Sequence, residues 1–237
     1  KILSKFVDAV AISFKESKKY FKSVQNLVLT GNPVRDEILH TDRAGARKRL
    51  NINPETRLVV IVGGSRGAQN INNSVVEMIK KYYSGNDCNV IFATGEAQYD
   101  AVREKLGDDI PSTVQVVPYI YNAADVYAAA DLMVCRAGAI TLSEITAIGI
   151  PAILIPSPFV TANHQEYNAR SLENNGAAVV ILEKELNGLV LYNQIMNLLK
   201  DRDQLAKMAR NSKKMGIIDA TEKIYAMVRE VMKKGKQ

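Results

Sequence analysis

Short apolar segments rich in β-branched residues alternate along this chain with segments of helical periodicity, and this alternation constrains the fold most. Several of the apolar segments are hydrophobic at nearly every position, which is typical of parallel strands covered on both faces. The pattern therefore predicts an α/β fold built on a doubly wound parallel sheet. The predicted strands are residues 9–14, 27–30, 58–62, 90–93, 114–117, 132–135, 152–155 and 178–182.

Helical periodicity fills the stretches between the predicted strands. In open α/β sheets, ligands bind beyond the carboxyl ends of the strands, so the loops that follow the strands are where a site is expected. The predicted helices are residues 36–50, 68–83, 97–106, 123–130, 142–148, 164–174, 189–199, 205–215 and 220–234.

The charge distribution narrows the classes of partner. The chain has 237 residues, 47% of them hydrophobic, and a formal charge of +6, with the basic residues concentrated at the two ends. A nucleic-acid-binding protein needs a basic stripe on its folded core, so no nucleic-acid partner is predicted. Basic ends suit an anionic membrane surface, or they are simply solvated termini. The sequence has no initiator Met and begins in the middle of the alternating strand and helix pattern, so we expect it to be a fragment of a longer protein.

A domain boundary is predicted where Gly31, Asn32 and Pro33 follow a strand. Gly-Asn-Pro interrupts regular structure, and Pro33 biases Asn32 toward an extended conformation. We expect residues 1–32 to be the tail of one domain and residues 33–218 to form a second, complete domain.

The first chemically informative turn joins the strand at residues 58–62 to a helix, and it contains Gly63, Gly64, Ser65, Arg66 and Gly67. Glycines let a ligand approach the backbone, and a helix start offers free N–H groups to a phosphate. The simplest alternative is a tight turn with no ligand.

The same turn also satisfies G-x-S-x-G, the nucleophile elbow of α/β-hydrolases. A hydrolase would use Ser65 with His164 and with Asp131 or Glu144 as the acid. Arg66 directly after the serine and the plain amphipathic helix that follows argue against that interpretation.

A second turn of small residues follows the strand at residues 132–135 and leads into a helix that contains Glu144. A carboxylate in the first turn of that helix is suited to accept both hydroxyls of a ribose. The alternative is a capping box, in which Thr141 and Glu144 satisfy the free N–H groups of the helix start.

A third polar loop contains Asn163, His164 and Gln165 after the strand at residues 152–155. Asn163 is alternatively an N-cap. Arg35, just after the predicted boundary, either pairs with an acid such as Asp36 or clamps a phosphate. Three such turns at one edge of a sheet would supply several N–H donors, which suits a nucleotide diphosphate.

Five motifs occur in an order that resembles the MurG family, and the resemblance extends from Leu27 to the C-terminus. Members of this family transfer N-acetylglucosamine from UDP-N-acetylglucosamine to lipid I with inversion, giving lipid II for peptidoglycan. The motifs are Gly-Asn-Pro-Val-Arg at residues 31–35, Gly-Gly-Ser-Arg-Gly-Ala at 63–68, Arg-Ala-Gly-Ala-Ile-Thr-x-Ser-Glu at 136–144, Gly-Ile-Pro-Ala-Ile-Leu-Ile-Pro at 149–156 and Asn-His-Gln-x-x-Asn-Ala at 163–169.

The resemblance implies the C-terminal half of a GT-B glycosyltransferase, with a Rossmann-like domain that binds UDP-N-acetylglucosamine. Arg35 and Ser65 would contact the diphosphate region, Ile120 the uracil edge, Glu144 the ribose hydroxyls and Gln165 the hydroxyls of the sugar. Arg66 stands where the family usually has Gln, which leaves the local sugar contact open. The residues that would wrap the diphosphate and ribose are Ala139, Ile140, Thr141, Leu142, Ser143 and Glu144.

The resemblance also implies parts that this sequence does not contain. The N-terminal domain of the family carries the acceptor site for lipid I, the membrane-docking patch and the expected catalytic base, and residues 219–237 would form a helix that returns to it. The location would be peripheral, on the cytoplasmic face of the bacterial membrane, and no cofactor or metal is implied. The alternatives are another GT-B enzyme acting on a UDP-sugar, such as a glycosyltransferase or an epimerase, and a non-catalytic nucleotide-binding module.

Overall fold

The computed structural model describes residues 2–21, 24–64, 67–85 and 88–234. In this part of the chain, six parallel strands form a central sheet and two further strands form a separate parallel pair. The strands are β1 (Val10–Ile12), β2 (Leu27–Leu29), β3 (Leu58–Val62), β4 (Asn89–Ala93), β5 (Val114–Val117), β6 (Leu132–Cys135), β7 (Ala152–Leu154) and β8 (Ala178–Val180).

The strand order in the central sheet is β5-β4-β3-β6-β7-β8. The chain starts in the middle at β3, builds outward on one side through β4 and β5, and then returns to place β6 on the other side of β3. The direction of winding therefore reverses between β3 and β6, and the crevice at their carboxyl ends is the usual ligand site of such sheets.

Helices cover both faces of the sheet. Val59 and Ile61 of β3 pack into one apolar layer, whereas Leu58 and Val60 pack into the other, as the alternation of side chains along a strand requires. The predicted fold class, α/β with a doubly wound parallel sheet, is confirmed. The helices are α1 (Asp36–His40), α2 (Arg43–Arg49), α3 (Gln69–Lys81), α4 (Tyr99–Leu106), α5 (Ala123–Ala129), α6 (Ala139–Ile148), α7 (His164–Asn174), α8 (Gly188–Lys200), α9 (Arg202–Met215) and α10 (Ala220–Lys234).

The prediction of one helix over residues 36–50 is wrong, because the chain breaks between α1 and α2. Thr41 has an extended backbone, with ψ at 120°. Asp42 then caps the second helix by accepting a hydrogen bond from the Gly45 N–H at 2.7 Å. An Asp side chain that captures a nearby N–H favours a new helix start over a continuous helix.

A buried ion cluster lies at the amino edge of the sheet, opposite the expected ligand site. Asp131, directly before β6, accepts hydrogen bonds from Arg43 Nη2 at 2.8 Å and Arg57 Nη1 at 2.9 Å. It also accepts from Arg47 Nη1 at 3.3 Å and from the Leu58 N–H at 2.8 Å. The carboxylate therefore ties α2 and the start of β3 to the start of β6.

The residues just before the predicted boundary contact helix α6. Asn32, after β2, donates from Nδ2 to the Ala139 carbonyl at 3.3 Å and to Ser143 Oγ at 3.1 Å, so the predicted boundary touches α6. Helix α10 exposes the apolar side chains of Tyr225, Val228 and Met232. Within the described residues, every helix is too short or too polar to cross a membrane.

Candidate functional site

The glycine turn after β3 lies at the carboxyl edge of the sheet, beside the point where the winding reverses. Gly64 and Gly67 have φ values of +96° and +73°, which residues other than glycine rarely adopt. A Cβ on Gly67 would lie 2.5 Å from the Thr94 carbonyl oxygen, so the turn packs against the end of β4. Ser65 and Arg66 lie outside the described residues, and their predicted contacts stay predictions.

Within the part of the chain that the structure describes, no side chain caps the start of α3. Its N-cap residue, Ala68, has no side chain that could accept a hydrogen bond, and none is formed. The first N–H groups of an α-helix have no partner within the helix and carry the positive end of its dipole. This turn and helix start are therefore suited to an anionic group.

The turn after β6 has the same construction. Helix α6 begins at Ala139, and its N-cap residue is Gly138, which forms no side-chain cap. The predicted residues Ala139, Ile140 and Thr141 occupy the first turn, where N–H groups point outward. The predicted start at residue 142 is therefore three residues late, and the additional turn lengthens the helix toward the crevice.

The capping-box interpretation of Thr141 and Glu144 is wrong. Thr141 is the third residue of α6 and not its N-cap, so its hydroxyl is not at the capping position. Glu144 lies one turn further along the helix, and its carboxylate binds Arg35 instead of a free N–H group.

Arg35, just after the predicted domain boundary, forms an ion pair with Glu144 of α6. Arg35 Nε donates to Glu144 Oε1 at 3.2 Å, and Arg35 Nη2 lies 3.2 Å from the same oxygen. Arg35 Nη1 also pairs with Glu37 Oε1 at 3.2 Å. The Glu144 side chain is only 10% exposed, whereas Arg35 is about half exposed. Arg35 and Glu144, which are both predicted to contact a nucleotide, therefore pair with each other in this structure.

Burial raises the pKa of the Glu144 carboxyl above its ordinary value, and the neighbouring Arg35 only partly offsets this effect. A carboxyl whose pKa is raised by folding contributes most to stability at low pH, below its unfolded pKa of about 4.3. That contribution is lost as the pH rises through the raised folded value. At neutral pH the ionised Glu144 therefore lowers stability.

We expect the variant Glu144→Gln to be at least as stable as the native chain at pH 7. Gln has nearly the same volume and carries no charge to desolvate, so the penalty of the buried carboxylate disappears. Thermal unfolding at pH 7 measures this. A clear fall in melting temperature would mean that Glu144 stabilises the fold, contrary to the role of a ligand-binding group held at some cost to stability.

The remaining predicted residues of α6 serve the helix itself. Leu142 is fully buried, and its N–H donates to the Gly138 carbonyl at 3.0 Å, so it supports the helix start. Ser143 Oγ donates to the Ala139 carbonyl at 2.9 Å and accepts from Asn32. Asn32 in turn accepts from Ser13 Oγ at 2.6 Å, so Ser143 couples α6 to the residues before the boundary.

Ile120 follows β5, and its side chain is buried in the apolar layer that also contains Tyr127. Tyr119 and Tyr121 flank it and are exposed, with ring centroids 5.1 Å apart in an edge-to-face arrangement. The backbone between two exposed tyrosines is therefore held in place by one buried side chain, an arrangement suited to a flat base.

Gln165, at the start of α7, is fixed by its neighbour across the loop. Its Oε1 accepts from the Ser157 N–H at 2.9 Å, and among the described residues its Nε2 group has no acceptor, so it is suited to donate to a ligand. Asn163 occupies the predicted N-cap position but donates from Nδ2 to Glu166 Oε2 at 2.6 Å and forms no cap. Ala162 and Asn163 have φ values of +55° and +51°, and such strain is concentrated at functional sites.

A cleft of about 520 Å³ opens between the glycine turn and the start of α7. Two charged residues that the sequence analysis did not assign to a ligand, Arg136 and Glu183, form an ion pair in its wall. Arg136 directly follows β6 and begins the motif at residues 136–144, so the sequence offered a signal for it. Glu183 follows β8 and lies in none of the motifs.

Asp131, one of the two candidate acids of the hydrolase interpretation, lies at the wrong edge of the sheet for that role. Asp131 lies at the amino edge of the sheet, whereas Ser65 follows the carboxyl end of the neighbouring strand. The second candidate, Glu144, pairs with Arg35. His164 Nδ1 lies 2.9 Å from the Thr161 carbonyl oxygen.

The sequence comparisons with known proteins agree on one family. The sequence profile of the glycosyltransferase family 28 C-terminal domain matches residues 58–224. A UDP-N-acetylglucosamine–N-acetylmuramyl-(pentapeptide) pyrophosphoryl-undecaprenol N-acetylglucosamine transferase of Acetivibrio thermocellus is 58% identical over 98% of this chain and 63% of its own length. The protein of the same name from Ruminiclostridium cellulolyticum is 52% identical over 98% of this chain and 64% of its own length. The chain therefore spans less than two thirds of these relatives.

Solved structures are similar over nearly the whole chain. The crystal structure of Acinetobacter baumannii MurG superposes with a TM-score of 0.76 at 27% identity, over 97% of this chain and 63% of that one. A putative UDP-N-acetylglucosamine 2-epimerase of Listeria monocytogenes gives 0.67 at 16% identity, over 98% and 61%. The second likeness concerns the fold alone.

Proposed function

Since the chain belongs to the family of the glycosyltransferase family 28 C-terminal domain, we propose that it binds UDP-N-acetylglucosamine as the donor-binding part of a lipid II-forming transferase. The resemblance to the MurG family expected from the motifs is confirmed by the named relatives. One observation carries the proposal: two uncapped helix starts follow β3 and β6, where the winding of the sheet reverses, and the second of these helices carries a buried carboxylate that holds an arginine.

The donor would lie along the carboxyl edge of the sheet. Its uracil meets the backbone at Ile120, its ribose hydroxyls meet Glu144, and its diphosphate meets the first turn of α6. Arg35 leaves Glu144 and pairs with the diphosphate, since a dianion attracts it more strongly than one carboxylate does. Ser65 contacts the phosphate region, and Gln165 donates to a hydroxyl of the N-acetylglucosamine.

In the complete transferase, the C4 hydroxyl of the muramyl sugar of lipid I attacks the anomeric carbon of the donor. The new C1–O4 bond forms as the bond from C1 to the phosphate oxygen breaks, so the configuration inverts and UDP leaves. The hydroxyl proton passes to a base outside this chain. The N–H groups of α6 and the Arg35 guanidinium stabilise the charge that grows on the leaving diphosphate.

The other partners belong to the complete protein as well. The acceptor and the anionic surface of the membrane would be bound by the N-terminal domain, of which residues 1–32 form the tail. Residues 33–218 would form the donor domain, and α10 would pack on the N-terminal domain through its exposed apolar side chains. On this proposal the complete enzyme acts as a peripheral protein on the cytoplasmic face of the membrane.

An epimerase acting on the same UDP-sugar shares the fold, so the fold does not decide between the two activities. The relatives that are more than half identical to the chain carry the transferase name, and this favours the transferase.

Base selectivity tests the proposal. We expect UDP to bind the chain about tenfold more tightly than ADP, because losing buried backbone hydrogen bonds to the uracil costs about 1–3 kcal/mol. Isothermal titration calorimetry with the two nucleotides, and with UDP-N-acetylglucosamine beside ADP-glucose, measures it. Equal affinity for UDP and ADP would contradict the assignment of the uracil to Ile120.

A further inference from the structure

Arg136 and Glu183 meet in the wall of the cleft between the glycine turn and α7. Arg136 Nη1 donates to the Ile155 carbonyl at 3.1 Å and forms an ion pair with Glu183 Oε2. The side chains of Arg136 and Glu183 are 16% and 7% exposed. Both contacts of Arg136 within the described residues use Nη1, which leaves its Nε and Nη2 donors for a ligand.

Glu183 connects three separate elements that surround the cleft. It follows β8, its Oε2 pairs with Arg136 at the end of β6, and its Oε1 accepts from Asn70 Nδ2 at the start of α3 at 2.5 Å. Gln165, Ser157 and Gly67 also line the cleft. One buried carboxylate therefore fixes both the arginine and the helix start that border the cleft.

The charges of this pair indicate which part of a nucleotide-sugar the cleft accepts. Glu183 neutralises Arg136, and its carboxylate repels a phosphate, so the pair is poorly suited to bind the diphosphate. A hexose carries neutral hydroxyls, which accept hydrogen bonds from a guanidinium, and such charge-assisted bonds are stronger than neutral ones. With the diphosphate at the start of α6, the cleft beyond Arg136 is the place for the sugar.

We propose that Glu183 is a positioning residue that holds Arg136 against the hexose of the donor, an inference that rests on the proposed function. Removing the Glu183 carboxylate would leave the nearly buried guanidinium of Arg136 without its counter-ion. An unpaired buried charge is costly, so Arg136 would no longer favour its present position. The arginine then turns toward solvent, and the sugar loses its contact while the uridine diphosphate contacts remain.

The test compares UDP-N-acetylglucosamine with UDP by isothermal titration calorimetry on the 237-residue chain. Glu183→Gln retains an oxygen for Asn70 and removes the charge. We expect it to weaken binding of UDP-N-acetylglucosamine about tenfold and binding of UDP less than twofold. Glu185→Gln, which alters an exposed carboxylate on the same short turn, serves as the matched control and should change neither affinity.

A second pair of variants separates positioning from a general structural effect. In an Arg136→Met background, Glu183→Gln should add less than twofold, because the residue acts through Arg136. Additive losses, an equal loss for UDP, or unchanged affinity of Glu183→Gln for the sugar nucleotide would each overturn the inference. If the native chain binds neither ligand, the proposed function fails instead. Melting temperatures identify any variant that fails to fold, for which Glu183→Asp is the substitute.

Discussion

Replacing Asp131 with Asn is expected to lower the free energy of unfolding by about 3–5 kcal/mol, the range found when one partner of a buried ion pair is removed. Asp131 is 6% exposed and is the common acceptor for three arginines, of which Arg47 is 5% exposed. Asn keeps the volume but leaves the buried guanidinium of Arg47 without a counter-ion. Urea unfolding followed by circular dichroism measures the change.

Asp125→Asn is the matched control for this prediction. Asp125 also pairs with an arginine of α2, Arg49, but that arginine is 53% exposed. Exposed ion pairs contribute about 1 kcal/mol or less, so this variant should be nearly as stable as the native chain. Equal losses for the two variants would contradict the view that burial gives the Asp131 cluster its importance.

Replacing Glu144 with Gln is expected to weaken UDP binding about thirtyfold. A charged acceptor makes each ribose hydrogen bond about 1 kcal/mol stronger than a neutral one, and two such bonds give about 2 kcal/mol. The variant should remain as stable as the native chain, as argued above from the raised pKa of Glu144. Calorimetry with UDP measures the affinity.

Glu37→Gln controls for the contact with Arg35, because Glu37 pairs with the same arginine but is 61% exposed. It should bind UDP almost as tightly as the native chain. The 2′-deoxy form of UDP should bind the native chain more weakly than UDP does, and this difference should shrink in Glu144→Gln. A Glu144→Gln variant that binds UDP with native affinity would exclude the ribose contact.

The sheet and its turns were predictable because they depend on local sequence. Continuous apolar segments define β3, β5 and β6 at the residues predicted, and glycines mark the turn after β3. The break between α1 and α2 was missed because one short side chain decides it. Asp42 can lie inside a helix or cap the start of one, and the helical periodicity of the apolar residues does not distinguish these two positions.

The contacts that build the site were beyond sequence reasoning for a different reason. Arg35 and Glu144 are separated by 109 positions, and Glu183 meets Asn70 across 113. Which of these residues pair with each other depends on the strand order, and local sequence does not report that order. Arg35 and Glu144 were predicted to contact a ligand from their positions beside turns and from the family motifs, but no local pattern indicates that they pair with each other.

A crystal structure of the chain with UDP-N-acetylglucosamine tests the central claim most directly. We expect the ribose hydroxyls on the Glu144 carboxylate, the diphosphate at the first turn of α6 and Arg35 moved from Glu144 to the phosphates. A nucleotide bound away from the carboxyl edge of the sheet, or one that leaves the Arg35–Glu144 pair intact with the ribose elsewhere, would contradict the account.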